Sequence, residues 1–163
     1  MTQKDLEKLN ERVQRAALQH SRELARLAFT YVKSTADAED IVQDVFLSYL
    51  RTAPEFESPE GEKAWLIRCT VNRSKDVLKS GWFRSREPIP DDLSYLPKEE
   101  NTVLLAVLAL DRKYRLPIHL HYYGGYSIKE IAFFLGEKET TVGTRLARGR
   151  KLLQKQLGEF EDE

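Results

Sequence analysis

Ser127-Ile-Lys-Glu-Ile-Ala-Phe-Phe-Leu-Gly136, followed closely by Thr140-Thr-Val-Gly-Thr-Arg-Leu-Ala-Arg-Gly-Arg-Lys151, reads as a short helix, a tight turn and a second helix. Ser127 and Glu130 have the spacing of a capping box. Ile128, Ile131, Ala132 and Leu135 fall on one face of the first helix, and Ala132 is small where two helices must cross. Gly136 suits a left-handed turn. On the second helix Val142, Leu146 and Leu153 point inward, with Gly149 on the same side permitting close approach. Thr140, Thr141, Thr144, Arg145, Arg148 and Lys151 are left outside. This is the layout of a DNA-reading helix-turn-helix, whose second helix enters the major groove. Hydroxyls and guanidinium groups at that helix's N-terminal end reach base edges, whereas Arg148, Lys151 and Lys155 suit phosphates. A plain hairpin with a solvated basic face is the competing reading; the agreement of cap, turn and spacing weighs against it. Gly143 and Gly149 each cost about 1 kcal/mol of helix propensity against alanine. Lys138 stands where a Ser or Thr cap would be natural.

The chain around this motif has 163 residues, enough for one domain or two small ones, and its formal net charge is zero. The charge is unevenly spread. Basic residues gather from Lys63 to Arg86 and again from Lys138 to Lys155, while acids gather at Asp37–Asp44, Glu87–Glu100 and Glu159–Glu163. Two basic patches separated by an acidic connector can engage one polyanion at two places. The acidic helix around Asp40 suggests a further surface that meets something basic.

Upstream, apolar residues at Leu6, Leu9, Val13, Ala16, Leu24, Leu27 and Tyr31 predict a helix over 6–33, with a bend or a new start at His20-Ser21. Ser34 or Thr35 caps a second helix over 37–50, whose core face holds Ile41, Val45, Phe46, Tyr49 and Leu50. Asp40, Gln43, Asp44 and Leu47 share a neighbouring face. Pro54, Pro59 and Gly61 make 52–61 a loop. A third helix over 62–79 carries Ala64, Ile67, Val71 and Leu78 on one stripe and Arg68, Asn72, Lys75 and Lys79 on the other side. Pro88, Pro90 and Pro97 mark a linker over 81–101, with anchoring apolar residues from Trp82 to Leu96. Helices follow over 102–110 and 112–123, the latter starting near Arg115 if Pro117 is to sit in its first turn. The expected fold is all-α: a helical domain over 1–80, a linker over 81–101 and a helix-turn-helix domain over 102–163.

Trp65, Trp82 and Phe83 lie near positive charge, which suits stacking on unpaired bases as well as ordinary core packing. Cys69 is alone and reads as a small buried hydrophobe. His20, His119 and His121 lack metal-ligand spacing, and there is no phosphate loop or nucleophile elbow. No enzyme, cofactor or metal is expected. The polar N-terminus is unlike a signal peptide and no segment has the apolar length of a membrane span, so a cytoplasmic protein is expected.

Ala38-Glu39-Asp40-Ile41-Val42-Gln43-Asp44-Val45-Phe46-Leu47 resembles the polymerase-binding segment of bacterial sigma-70 factors. Ala64-Trp65-Leu66-Ile67-Arg68 with Asn72-Arg73 and Asp76 resembles their promoter-melting segment, and 118–153 their C-terminal promoter reader. With two domains only, the chain resembles the extracytoplasmic-function group. The resemblance implies promoter-specific transcription initiation. Asp40, Gln43, Asp44 and Leu47 would dock on the large polymerase subunits. Phe56, Trp65, Arg68, Asn72, Lys75 and Lys79 would meet DNA at the minus-ten element, with the 52–61 loop capturing an extruded base. Thr140, Thr141, Thr144, Arg145, Arg148 and Lys151 would read the upstream element around minus thirty-five. The resemblance also implies an anti-sigma regulator, often membrane-bound. Gly143 stands where members usually carry Lys or another polar residue. Phe133-Phe134 adds apolar surface that faces the polymerase, the first domain or a regulator. The alternatives are a polymerase-independent helix-turn-helix regulator and a protein whose helical N-domain only sequesters a partner.

Overall fold

Thr2 and Asp5 form a capping box that starts helix α1 (Gln3–Val32). In the computed structural model, which describes residues 1–80 and 101–161, α1 runs unbroken through the expected bend at His20-Ser21. His20 is buried there and lies 3.9 Å from Glu62, so tertiary packing keeps the helix continuous. Leu6, expected on the apolar stripe, is exposed.

Ser34 caps α2 (Thr35–Thr52) through its side chain, and Ser58 caps α3 (Pro59–Lys79), with Pro59 in the first turn where its missing N–H costs nothing. The loop is therefore shorter than expected and covers 53–58. α1, α2 and α3 pack on one another around Leu24, Leu27, Ile41, Tyr49, Leu66 and Ile67, all fully buried. Each such side chain contributes roughly 1.5–3 kcal/mol of burial. Leu50, expected in this core, is exposed.

The expected linker over 81–101 lies outside the described residues except for Asn101, which begins α4 (Asn101–Leu108). α5 (Arg112–Tyr122) starts three residues earlier than the proline suggested, so Pro117 sits inside it. The helix still forms because Tyr114, Leu116, Ile118 and Leu120 are buried around it. α6 (Ile128–Leu135) has the expected Ser127–Glu130 capping box and ends at Gly136 with φ 65°. The Glu137 N–H reaches back to the Ala132 carbonyl and closes the C-terminal turn. Ile128 is more exposed than its spacing predicted, whereas Ile131 and Ala132 are buried as expected. α7 (Glu139–Glu161) buries Val142, Leu146 and Leu153. Gly149 lies against α5 so closely that a Cβ there would stand 3.0 Å from Ile118 Cγ1.

The described residues thus form two helical clusters, α1–α3 and α4–α7, which pack together along α1, α3, α5 and α6. At this seam the buried Arg115 donates to the Thr30 carbonyl at 2.7 Å. Burial and the neighbouring Arg112 lower its affinity for the proton. The Tyr126 hydroxyl donates to Glu23, and Lys63 approaches both the Glu23 carboxylate (3.6 Å) and the face of the Tyr126 ring (4.8 Å).

Candidate nucleic-acid interface

Three polar faces stand out, and the sequence anticipated residues on each. On α2, Asp40, Gln43 and Leu47 are exposed and line one open groove with Phe46 and Leu50. Asp40 makes no ion pair among the described residues, and Leu47 is 52 % exposed beside it. Asp44 behaves differently. It points toward α3 and accepts from Arg73 Nε at 3.0 Å, so its charge is shared with its own domain.

The second face is α3 with the 53–58 loop. Phe56, Trp65 and Tyr49 form an edge-to-face cluster with ring centroids 5.5 to 5.9 Å apart. Offset geometry of this kind stabilises aromatic pairs beyond their buried area. Tyr49 is fully buried and donates to Glu62 at 2.7 Å, and Arg12 donates to the Pro54 carbonyl. The loop is therefore held at both its start and its aromatic centre. Trp65 is half-buried and packs against the core beside Tyr49 and Phe56. Cys69, in the groove between α2 and α3, is half-buried rather than fully enclosed, and burial pushes its thiol pKa up.

Arg68, Asn72, Lys75 and Lys79 do share one side of α3, and all four are exposed. Yet Arg68 is engaged. Its Nε donates to the Phe134 carbonyl at 2.8 Å, its second nitrogen donates to the Phe133 carbonyl, and its guanidinium lies 5.7 Å from the Phe133 ring centre. Phe134 is buried against Tyr126, while Phe133 is 52 % exposed and turned toward α3. Of the three destinations open to the extra phenylalanine, the described structure realises the first domain.

The third face is the N-terminal end of α7. Thr140, Thr141, Thr144, Arg145 and Arg148 line a shallow concavity together with Lys113 and Tyr114 from α5. Lys151 is exposed one turn further on. Sequence reading missed Lys113 and Tyr114. Their signal was only a basic residue and an aromatic one turn before Pro117, and helix crossing brings them to the site. Arg145 is half-buried and donates from one nitrogen to both carboxylate oxygens of Glu137, at 2.9 and 3.0 Å. Thr144 bonds back to the Thr140 carbonyl. Among the described residues there is no group of His, Cys, Asp and Glu able to hold a metal, and no helix is long and apolar enough to cross a membrane.

These three faces can bind a partner through exposed acid and leucine, and nucleic acid through two basic helices. Comparison with known proteins matches two segments of the chain. Residues 17–84 match sigma-70 region 2 and residues 93–153 match sigma-70 region 4. The chain is 32 % identical over 146 residues to the RNA polymerase sigma factor SigV of Bacillus subtilis, covering 85 % of this chain and 86 % of that one. It is 33 % identical over 144 residues to the ECF RNA polymerase sigma factor SigM of Mycobacterium tuberculosis, covering 85 % and 74 %. Among solved structures, that of CnrH in complex with the cytosolic domain of CnrY superposes with a TM-score of 0.72 at 26 % identity, covering 92 % of this chain and 90 % of that one.

Proposed function

We infer the division of labour in this protein from one premise: the chain belongs to the extracytoplasmic-function group of the sigma-70 family, and it directs promoter-specific initiation of transcription. It is a binding protein and not an enzyme. Asp40, Gln43 and Leu47 dock on the RNA polymerase core. Charged pairs at such a face set orientation and on-rate, and the exposed leucine supplies apolar contact. Asn72, Lys75 and Lys79, joined by Arg68 once it is released, lie on the promoter near the minus-ten element. The Phe56–Trp65 cluster flanks the displaced strand. The α7 concavity reads duplex at the upstream element through Thr140, Thr141, Thr144, Arg145, Arg148 and Lys151. The assignment of 1–80 and 102–163 to these two tasks belongs to the same reading.

The observation that carries it is the groove on α2, where an unpaired acid, an amide and an exposed leucine stand together with no role in the fold. An anti-sigma protein would cover these same faces. CnrH, a structural relative, is seen with the cytosolic domain of CnrY.

Promoter-specific transcription by core polymerase, with and without this protein, tests the reading. Asp40→Lys is expected to reduce co-purification with core polymerase about tenfold or more while the circular dichroism spectrum stays unchanged. Unchanged co-purification overturns the docking face, and absence of promoter-directed transcripts overturns the initiation reading.

A further inference from the structure

Packing of the two clusters creates a cleft of about 460 Å³ that neither contains alone. Arg68, Lys75 and Lys79 of α3 line one wall, and Arg112, Lys113 and Arg145 line the other. One acid, Glu137, also lines it, and Arg145 already holds that carboxylate. Arg68 is held by the Phe133 and Phe134 carbonyls, and among the described residues the other four basic groups, Lys75, Lys79, Arg112 and Lys113, make no ion pair. Like charges that converge in a partly enclosed site repel one another, because low-dielectric walls screen them less than bulk water does. Arg68 has a part in the seam through the Phe133 and Phe134 carbonyls, but among the described residues no hydrogen bond or ion pair of the seam uses Lys75, Lys79, Arg112 or Lys113, since Arg115, Tyr126 and Lys63 hold the clusters together elsewhere. The remaining wall is apolar: Val71, Leu116, Pro117 and Leu135, with the edge of Tyr31.

We propose that this cleft is a binding site for a nucleoside polyphosphate, which bridges α3 to α5 and α7 and holds the two clusters together. The volume lies within the usual range for small-molecule sites, about 300–1,000 Å³. Duplex DNA, whose major groove alone is about 12 Å wide, does not enter it. A phosphate chain supplies several negative oxygens to lysines and arginines arriving from both sides, and guanidinium groups bind such oxygens in pairs. The base and ribose lie on the apolar wall. Because Lys75 and Arg145 are also on the promoter-facing surfaces, the bound ligand and promoter DNA exclude each other. This inference depends on the closed seam, and does not need the polymerase reading.

The test is a calorimetric titration of the full chain with GTP and, separately, with tripolyphosphate, without divalent metal and at constant ionic strength, alongside small-angle scattering. The expected result is one GTP per chain, binding at least tenfold tighter than tripolyphosphate, with no increase in radius of gyration. Lys75→Ala combined with Lys113→Ala, one residue from each wall, is expected to weaken binding at least tenfold. Arg15→Ala combined with Arg22→Ala, on the exposed side of α1, leaves it unchanged. No saturable binding, equal response to sulfate, indifference to the Lys75/Lys113 pair, or expansion on binding each overturns the site. Equal affinity for GTP and tripolyphosphate overturns the nucleoside assignment. The titration contains neither polymerase nor promoter, so its failure leaves the initiation reading standing, and failure of that reading leaves this result standing.

Discussion

The guanidinium of Arg68 in α3 caps the C-terminal end of α6 by donating to the carbonyl of Phe134, 66 residues away in sequence. The last carbonyls of a helix have no partners within it and carry the negative end of its dipole. Phe133 and Phe134 supply two of these carbonyls, and an arginine from the other cluster satisfies both. A residue expected on promoter DNA thus also joins the two clusters. While it caps α6 it is not free to bind a phosphate.

Removing that cap weakens the seam. Arg68→Ala is expected to cost about 1 kcal/mol of closure, since the bond is partly solvent-exposed and its loss leaves the Phe134 carbonyl to water while the Phe133 carbonyl keeps the Gly136 N–H. Small-angle scattering should show a larger radius of gyration for the variant with unchanged helix content. An identical scattering curve would mean that other contacts carry the seam.

Glu137 holds Arg145, and under the proposed role of Arg145 it is expected to compete with nucleic acid for it. Glu137→Gln keeps the shape but removes the charge, so upstream-element duplex is expected to bind several-fold more tightly, most clearly at low salt. Arg145→Ala acts in the opposite direction. Loss of a base contact costs about 1–3 kcal/mol at that position, and loss of a phosphate contact lowers the salt slope by about 1. An unchanged footprint over the upstream element would reject the role of Arg145.

The two glycines of α7 are not equivalent. A Cβ at Gly143 meets only Ile128 Cδ1, at 3.9 Å, so Gly143→Ala is expected to stabilise the protein by about 1 kcal/mol through helix propensity. At Gly149 the same atom stands 3.0 Å from Cγ1 and 3.1 Å from Cδ1 of the fully buried Ile118. Gly149→Ala is therefore expected to destabilise by about 1 kcal/mol despite the better propensity. Chemical denaturation of the two variants gives the signs; equal signs would contradict the packing argument.

His119 is fully buried on α5, its ring 5.5 Å from Tyr123, and its Nδ1 lacks a hydrogen-bond partner among the described residues. Burial first, and the charge of Arg26 second, lower its pKa from 6.5 to about 4. The unfolded chain then takes up a proton that the folded chain refuses. The associated stability is intact above about pH 6.5 and is lost as pH falls toward 4, by up to about 3 kcal/mol. His20, also lowered by burial, adds loss of the same sign. Denaturation midpoints for the protein and for His119→Met between pH 7 and pH 4.5 measure the effect. The variant should show the shallower decline, and parallel curves would exclude His119 as a source.

Local chemistry in the chain was enough to specify several features before any packing was known. Ser127 and Glu130 fix the start of α6 and Gly136 its end, because capping and left-handed turns depend on residues a few positions apart. The 3.6-residue apolar spacing gave the helices and the inward faces of α2, α3 and α7 for the same reason. The motifs around Asp40 and Trp65, in order ahead of the reader, were legible as a family resemblance. Contacts between distant segments were not legible. No spacing rule links Arg68 to Phe134, Asp44 to Arg73 or Lys113 to Thr140, and none places His20 inside an unbroken α1. Those outcomes follow from which helix faces meet when the two clusters bury their apolar surface. Sequence alone determined the elements and the chemical kinds of their faces. Only the tertiary structure decided which exposed-looking charges stay available to a partner and which are engaged by the protein's own chain.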